Sequence, residues 1–187
     1  MLQHLLLILV AAPLLVACGA LRTIEGPWAP RVFESPTNAW ILFVAVFLFW
    51  HWPAAFKWSA GSEASRLLEH GSILLASLLF WRIAFSARSD NSLNYGARAL
   101  YVVTAAIVTD LPGVIMVFSP QTICAMPHEN ALRYGLTPLQ DQELAGLLMW
   151  VPANLVFFSI AMCLLGCWLS QPKRLSSEPS PEGVFPA

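Results

Sequence analysis

The stretch MLQHLLLILVAAPLLVACGA, residues 1–20, decides the fold, because it is either a signal that is removed or a membrane helix that is retained. Removal has support, since residues 15–18, LVAC, match the lipobox pattern at which lipoprotein signals are cut and lipidated. A secretory signal, however, begins with Lys or Arg, and neither precedes Leu5. Pro13 also interrupts the apolar run. We therefore predict that the segment is retained as a short helix.

The composition places the chain in a membrane. Of its 187 residues, 57% are hydrophobic and 11% are charged, and the mean hydropathy is +0.64. A soluble fold of this length cannot bury so much apolar surface, so lipid is expected to cover part of it. The formal net charge of -1 provides no basic surface for a phosphate backbone, which argues against nucleic acid as a partner.

Five apolar segments are each roughly long enough to cross about 30 Å of hydrocarbon. They lie near residues 2–18, 38–56, 64–85, 95–118 and 142–170. The short loops between them predict an all-α, polytopic membrane bundle of about five transmembrane helices, which forms one domain over residues 1–170. Residues 171–187 are rich in Pro, Ser and Glu and predict a disordered tail.

The distribution of Lys and Arg predicts the orientation of the bundle. With the tail in the cytoplasm, most of the basic residues fall on the cytoplasmic side, as the positive-inside rule requires. The cytoplasmic set is Arg22, Arg31, Arg82, Arg88, Arg98, Lys173 and Arg174, and the outer set is Lys57, Arg66 and Arg133. The N-terminus is therefore predicted to lie outside and the C-terminus in the cytoplasm.

On this topology the four histidines all lie on the outer side. His4 begins the first segment, His51 lies near the end of the second in FWHWPAAF, and His70 lies near the start of the third in RLLEHGS. His128 falls in an outer loop, where a solvated imidazole is expected. Imidazoles gathered at one depth of a bilayer usually bind a metal or haem or transfer protons. The first three are therefore candidate metal ligands.

Structural alternatives remain for these three residues. Tryptophans surround His51 in the sequence, so it also fits an aromatic belt at the membrane interface. His70 follows Glu69 and lies a turn beyond Arg66, which also fits a structural polar cluster at a helix start. His4 lies near the chain end, where fraying rarely leaves a binding site intact.

Three further residues are candidates for function. Asp110 lies inside the fourth segment, and such a carboxylate normally faces the bundle interior and marks a pathway or a partner. Asp141 and Gln142 are predicted to start the last helix, where the helix dipole alone also favours a carboxylate. Met149 lies about two turns further along and offers a thioether.

Four stretches of the chain resemble a known family. MLQHLLLILVAAPLL, WHWPAAF, LLEHGSILLASLLFW and LTPLQDQELAGLLMWVP are similar, in this order, to signature blocks of the CtaG family of membrane proteins linked to cytochrome c oxidase assembly. The resemblance implies a multi-pass protein of the bacterial inner membrane that supplies or inserts copper for the oxidase at the periplasmic face. Its implied partners are oxidase subunits, a copper chaperone and membrane lipid.

The resemblance also implies which residues act. The family's histidines fall on His4, His51 and His70, its Asp-Gln pair on Asp141 and Gln142, and its Met-Trp pair on Met149 and Trp150. Asp110 matches no family position. The family usually has about two more membrane segments and a further histidine before the position of Met1, so the chain is expected to be short at its N-terminus.

The chemistry of these residues favours copper over harder ions. Three imidazoles with a thioether from Met149 or Met1 suit copper(I), whereas magnesium and calcium prefer oxygen ligands. The sequence contains no nucleophile elbow, HExxH motif or phosphate-binding glycine loop, so we do not expect an enzyme. A haem-binding electron-transfer protein using two of the histidines is one alternative. A metal-free structural partner of the oxidase is the other.

Overall fold

The computed structural model describes residues 2–19, 35–85, 93–123 and 135–171, and the regular structure of these residues is helical. The helices are α1 (Leu2–Ala17), α2 (Pro36–His51), α3 (Pro53–Ser59), α4 (Glu63–Phe85), α5 (Tyr95–Thr109), α6 (Leu111–Phe118) and α7 (Pro138–Leu169). The all-α class is thus confirmed for the described ranges. His128 and residues 172–187 of the predicted tail lie outside them.

Three stretches are long and apolar enough to cross a membrane: Glu63–Phe85, Tyr95–Phe118 and Pro138–Leu169. Helices α2 and α3 together form a fourth candidate, although the pair is bent by 77°. Helix α1 is apolar but falls short of the roughly 20 residues that a perpendicular span needs. The described chain is therefore a multi-pass membrane protein with three or four candidate spans. The predicted count of about five stays a prediction, as does the orientation of the termini.

Aromatic side chains form the centre of the bundle. The ring of Phe80 in α4 stacks on Phe43 of α2 and on Tyr101 of α5, with centroids 4.5 Å and 4.7 Å apart. Trp81 stacks on Phe157 of α7 at 5.4 Å. Large apolar side chains also cover the outside of the bundle, where lipid replaces water as the favourable surrounding.

A hydrogen bond from a side chain of α4 fixes α1, at a point where the backbone hydrogen bonds of α1 are interrupted. Over Leu7–Ala11 it is a π-helix, in which each carbonyl bonds to the N–H five residues later. The carbonyl of Ile8 would therefore need the N–H of Pro13, and proline has none. It accepts instead a hydrogen bond of 2.7 Å from Nε1 of the buried Trp81. The proline thus frees the carbonyl that holds α1 in place.

A sharp bend separates α2 from α3, where the sequence predicts one segment over residues 38–56. Pro53 lacks an N–H and disfavours helical backbone at the residue before it. Trp52 accordingly is extended, with φ -69° and ψ 132°. The bend leaves His51 as the last residue of α2, at the end of the bundle that also contains the start of α4.

Helix α7 begins a turn earlier than the predicted start at Asp141 and Gln142. Pro138 occupies the first turn, and Thr137 caps the helix. The Thr137 side chain accepts a hydrogen bond from the N–H of Gln140, whose side chain accepts one from the N–H of Thr137. This capping box satisfies backbone donors that would otherwise lack partners, and it sets the helix start.

Helices α6 and α7 pack in backbone contact. A Cβ atom built on Gly146 would lie 2.8 Å from the carbonyl oxygen of Gly113, which is closer than real Cβ atoms come. Only glycine permits this approach, as at many helix contacts in membranes. The packing brings the end of α6 beside the start of α7.

Candidate metal centre

Three histidines from three different helices meet at one end of the bundle. The ring of His4 lies with its centroid 5.1 Å from that of His70 and 5.9 Å from that of His51. His4 is only 5% exposed. The three candidate ligands predicted from the sequence are therefore neighbours in the fold, although 66 residues separate His4 from His70.

Backbone hydrogen bonds fix the tautomers of two of these rings. Nδ1 of His51 lies 2.7 Å from the carbonyl oxygen of Phe47, and Nδ1 of His70 lies 2.7 Å from that of Arg66. A carbonyl oxygen only accepts, so each Nδ1 carries a proton, and in the neutral ring Nε2 is the nitrogen with the free lone pair. Histidines that bind metals usually donate their other ring nitrogen in this way. Both Nε2 atoms are thus prepared as ligands.

Packing holds the His51 and His4 rings in position. The His51 ring stacks on the Phe47 ring with centroids 4.0 Å apart and an interplanar angle of 24°. His4 lies one turn before Ile8, whose carbonyl is bound by Trp81. Fraying of the chain end was a structural objection to a site at His4, and this anchor together with its burial removes that objection.

A fourth residue, Glu69, joins the cluster. Its Oε1 lies 3.2 Å from Nε2 of His4, and Glu69 is only 3% exposed. Ligand atoms of His4, Glu69 and His70 all lie within 4.8 Å of one another, which is close enough for a single ion after small rotations. From the sequence, Glu69 is expected only in a structural polar cluster with Arg66 and His70. A carboxylate next to a candidate histidine was the signal for it.

Two buried atoms of the cluster lack hydrogen-bond partners among the described residues. They are Oε1 of Glu69 and Nδ1 of His4. Burial of a polar atom without a partner costs roughly 2–7 kcal/mol, and a charged carboxylate costs more. Buried charges in proteins are accordingly paired or coordinate metals. The cluster therefore has the donors of a metal site and two buried polar atoms without hydrogen-bond partners among the described residues.

Asp110 and Met149 line a cavity of about 20 Å³. This volume suffices for one water molecule. Leu5 and Phe47, which adjoin His4 and His51, line the same cavity. No histidine of the described ranges lines this cavity.

Asp110 has a partner that the sequence analysis did not identify. Its Oδ2 accepts a hydrogen bond of 2.9 Å from Nδ2 of Asn154 in α7. Asn154 also donates to the carbonyl oxygen of Trp150 at 3.1 Å. The carboxylate thus faces the bundle interior and is hydrogen-bonded there.

The predicted Asp-Gln pair divides into a surface residue and a buried one. Asp141 is exposed in the first turn of α7, and it is not in the group with His4, Glu69 and His70. Gln142 is buried, and its Nε2 donates to the carbonyl oxygen of Met116 while its Oε1 accepts from the N–H of Ile123. This amide therefore joins α7 to the end of α6, whereas Asp141 has the position that the helix dipole favours.

Comparison with known proteins gives one match. The family model described as cytochrome c oxidase caa3 assembly factor (Caa3_CtaG) matches residues 1–171. No curated protein and no solved structure matches the chain. The matched range includes all the described helices, the three histidines and Glu69.

Proposed function

The chain belongs to the cytochrome c oxidase caa3 assembly factor family, and we propose that it handles copper for the oxidase at a site formed by His4, His51 and His70. One observation carries the proposal: three imidazoles from separate helices converge, and two of them donate Nδ1–H to a backbone carbonyl, which leaves Nε2 as their ligand atom. Copper is cargo here, received and passed on.

The donor set supports a transition metal. Imidazole suits copper, zinc, iron and nickel, whereas magnesium and calcium take oxygen ligands. The choice of copper among these metals follows from the family's role in oxidase assembly. His4 is buried while His70 is half-exposed, so one side of the site is open to an ion that arrives or leaves.

The topology of the proposal places the site at the periplasmic face of the bacterial inner membrane. Oxidase subunits are then the recipients, and a copper chaperone is the donor. The role is non-catalytic, because an assembly factor transfers an ion without making or breaking covalent bonds. Lipid covers the apolar outside of the bundle.

Metal analysis of the purified full-length chain tests this proposal. The protein in detergent is loaded with copper, freed of unbound metal, and compared with a variant in which His4, His51 and His70 are all replaced by Ala. We expect about one copper per unaltered chain and almost none in the variant, at equal protein abundance in the membrane.

Oxidase assembly is measured in the same cells. Cells with the triple variant are expected to contain less copper-loaded oxidase. Equal copper content and equal oxidase yield in both strains would contradict the proposal and favour a metal-free structural partner. A Soret band in the purified protein would favour the haem alternative instead.

A further inference from the structure

The contact between Glu69 and His4 is close but is not a hydrogen bond. Oε1 of Glu69 lies 3.2 Å from Nε2 of His4, yet Oε1 has no hydrogen-bond partner among the described residues. Both side chains are buried, so water does not screen the pair. The carboxylate oxygen therefore lies beside the ring nitrogen and out of line with a donated N–H.

This arrangement matches two ligands of one ion. Donors about 2.0–2.2 Å from an ion, at tetrahedral angles, lie about 3.3–3.6 Å from each other. In such a site the lone pair of each donor atom points toward the ion and not toward the other donor atom. The observed distance of 3.2 Å between Oε1 of Glu69 and Nε2 of His4, without a hydrogen bond, is close to that separation.

His70 completes the group from the same helix as Glu69. Neighbouring residues on an α-helix point about 100° apart, so one faces inward and the next lies at the edge. Glu69 is buried and His70 is half-exposed, as this spacing requires. Because His4 packs against both, their ligand atoms meet within 4.8 Å of its own.

We propose that Glu69 is a metal ligand together with His4 and His70, and that its carboxylate makes the site prefer copper(II) to copper(I). The proposal rests on the copper-handling function and adds the oxidation state of the cargo. Carboxylate oxygen suits harder ions, whereas copper(I) is selected by thiolate and thioether sulfur. A single negative charge also attracts a divalent ion more strongly than a monovalent one. The sequence alone predicts copper(I). The proposed site prefers copper(II) instead, because the fold brings the Glu69 carboxylate to the histidines.

Competition against chelators specific for each oxidation state measures this preference. The purified full-length protein is compared with Glu69→Gln, which keeps the shape of the side chain and removes its charge. Glu63→Gln is the matched control, because Glu63 lies at the exposed start of the same helix. We expect Glu69→Gln to weaken copper(II) binding by at least about tenfold and copper(I) binding by less than about threefold. The control should change neither.

A second measurement on the unaltered protein does not depend on how the variant folds. X-ray absorption of the copper(II)-loaded chain should show a shell of nitrogen and oxygen neighbours and no sulfur near about 2.3 Å. A sulfur neighbour would overturn the carboxylate site and support Met149 or Met1 as a ligand.

The outcomes separate this inference from the proposed function. Copper binding that is lost in the triple histidine variant but unchanged in Glu69→Gln overturns the inference alone. Equal losses for both oxidation states also overturn the preference, because Glu69 would then act by positioning His4. An unaltered chain that binds neither copper(I) nor copper(II) overturns both proposals.

Discussion

Two carboxylates lie in the same helical bundle, Asp110 half-buried and Glu69 buried, and their surroundings differ. Oδ2 of Asp110 accepts a hydrogen bond from Asn154 at 2.9 Å. Oε1 of Glu69 lies 3.2 Å from His4 but makes no hydrogen bond within the described part of the chain. Asp110 borders a cavity with room for about one water molecule, whereas Glu69 borders the imidazoles of His4 and His70.

The comparison distinguishes a carboxylate with a hydrogen-bonded oxygen from one with an unsatisfied oxygen. A carboxylate whose oxygen is satisfied by an amide stabilises the helix contact it spans, and it has no further requirement. A buried carboxylate with an unsatisfied oxygen retains a strong attraction for a cation. The Asp110 pair is therefore expected to contribute to folding, and the Glu69 cluster is expected to contribute to binding.

The largest expected effect tests the binding side of this comparison. Replacing His4 or His70 by Ala should weaken copper binding by at least about 10–100-fold, because each removes a ligand from the closest group. His51→Ala should do less, since its ring lies 5.9 Å from His4 and outside that group. Chelator competition on the three purified variants ranks them.

His128→Ala is the control for these substitutions, because the sequence places His128 in a solvated loop. Its copper affinity should equal that of the unaltered protein. If His51→Ala proved as damaging as His4→Ala, His51 would be a ligand equal to His4, and the group of His4, Glu69 and His70 would not be the whole site.

The second effect tests the expected contribution of the contact between α6 and α7 to folding, at the glycines near Asp110. Gly146→Ala places a Cβ atom 2.8 Å from the carbonyl oxygen of Gly113. We expect α6 and α7 to separate, which should destabilise the protein by about 1–3 kcal/mol, while copper affinity should change little. Thermal unfolding in detergent measures this loss.

Gly166→Ala is a matched control on the same helix. A Cβ atom there meets nothing within 4 Å. Because Ala favours a helix over Gly by about 0.5–1 kcal/mol, this variant should be as stable as the unaltered chain or slightly more so. Equal stability of the two variants would show that the glycine contact is not tight.

The sequence predicted which histidines meet but not what accompanies them. Four histidines on one side of a predicted bundle, three of them in helices, suffice to suggest a cluster. Glu69 was missed because its burial depends on how α1 packs over α4, which no local pattern encodes. The same holds for Asn154, which reaches Asp110 across 44 residues of sequence.

The element boundaries show where local signals were present but were not used. The bend after His51 follows from Pro53, and the start of α7 follows from Thr137 and Gln140. Hydropathy alone predicts one segment where the structure has α2 and α3, and it places the start of α7 about a turn too late. The spacing of apolar residues indicates which side of a helix is buried, whereas proline and capping residues indicate where a helix begins or ends.

A smaller effect is expected at Asp110, where Asp110→Asn is compared with Glu69→Gln. Each substitution exchanges a carboxylate for an amide of the same size. An amide oxygen at position 110 still accepts from Asn154, so stability should fall by no more than about 1 kcal/mol. Copper(II) affinity should change less than about twofold, compared with at least about tenfold for Glu69→Gln. A tenfold loss in Asp110→Asn would show that the central cavity takes part in copper transfer.

The smallest effect is expected at Asp141, whose position the family resemblance marks but whose side chain is exposed in the first turn of α7. A carboxylate there interacts with the helix dipole, which contributes about 0.3–1 kcal/mol and is screened by salt. Asp141→Asn should therefore lower the unfolding temperature slightly at low salt and not at high salt, with copper affinity unchanged. Glu143→Gln, two residues further along the same helix, is a control for the loss of one negative charge. If Asp141→Asn instead reduced the yield of copper-loaded oxidase at unchanged stability and copper affinity, Asp141 would be a contact for the recipient rather than a part of the helix start.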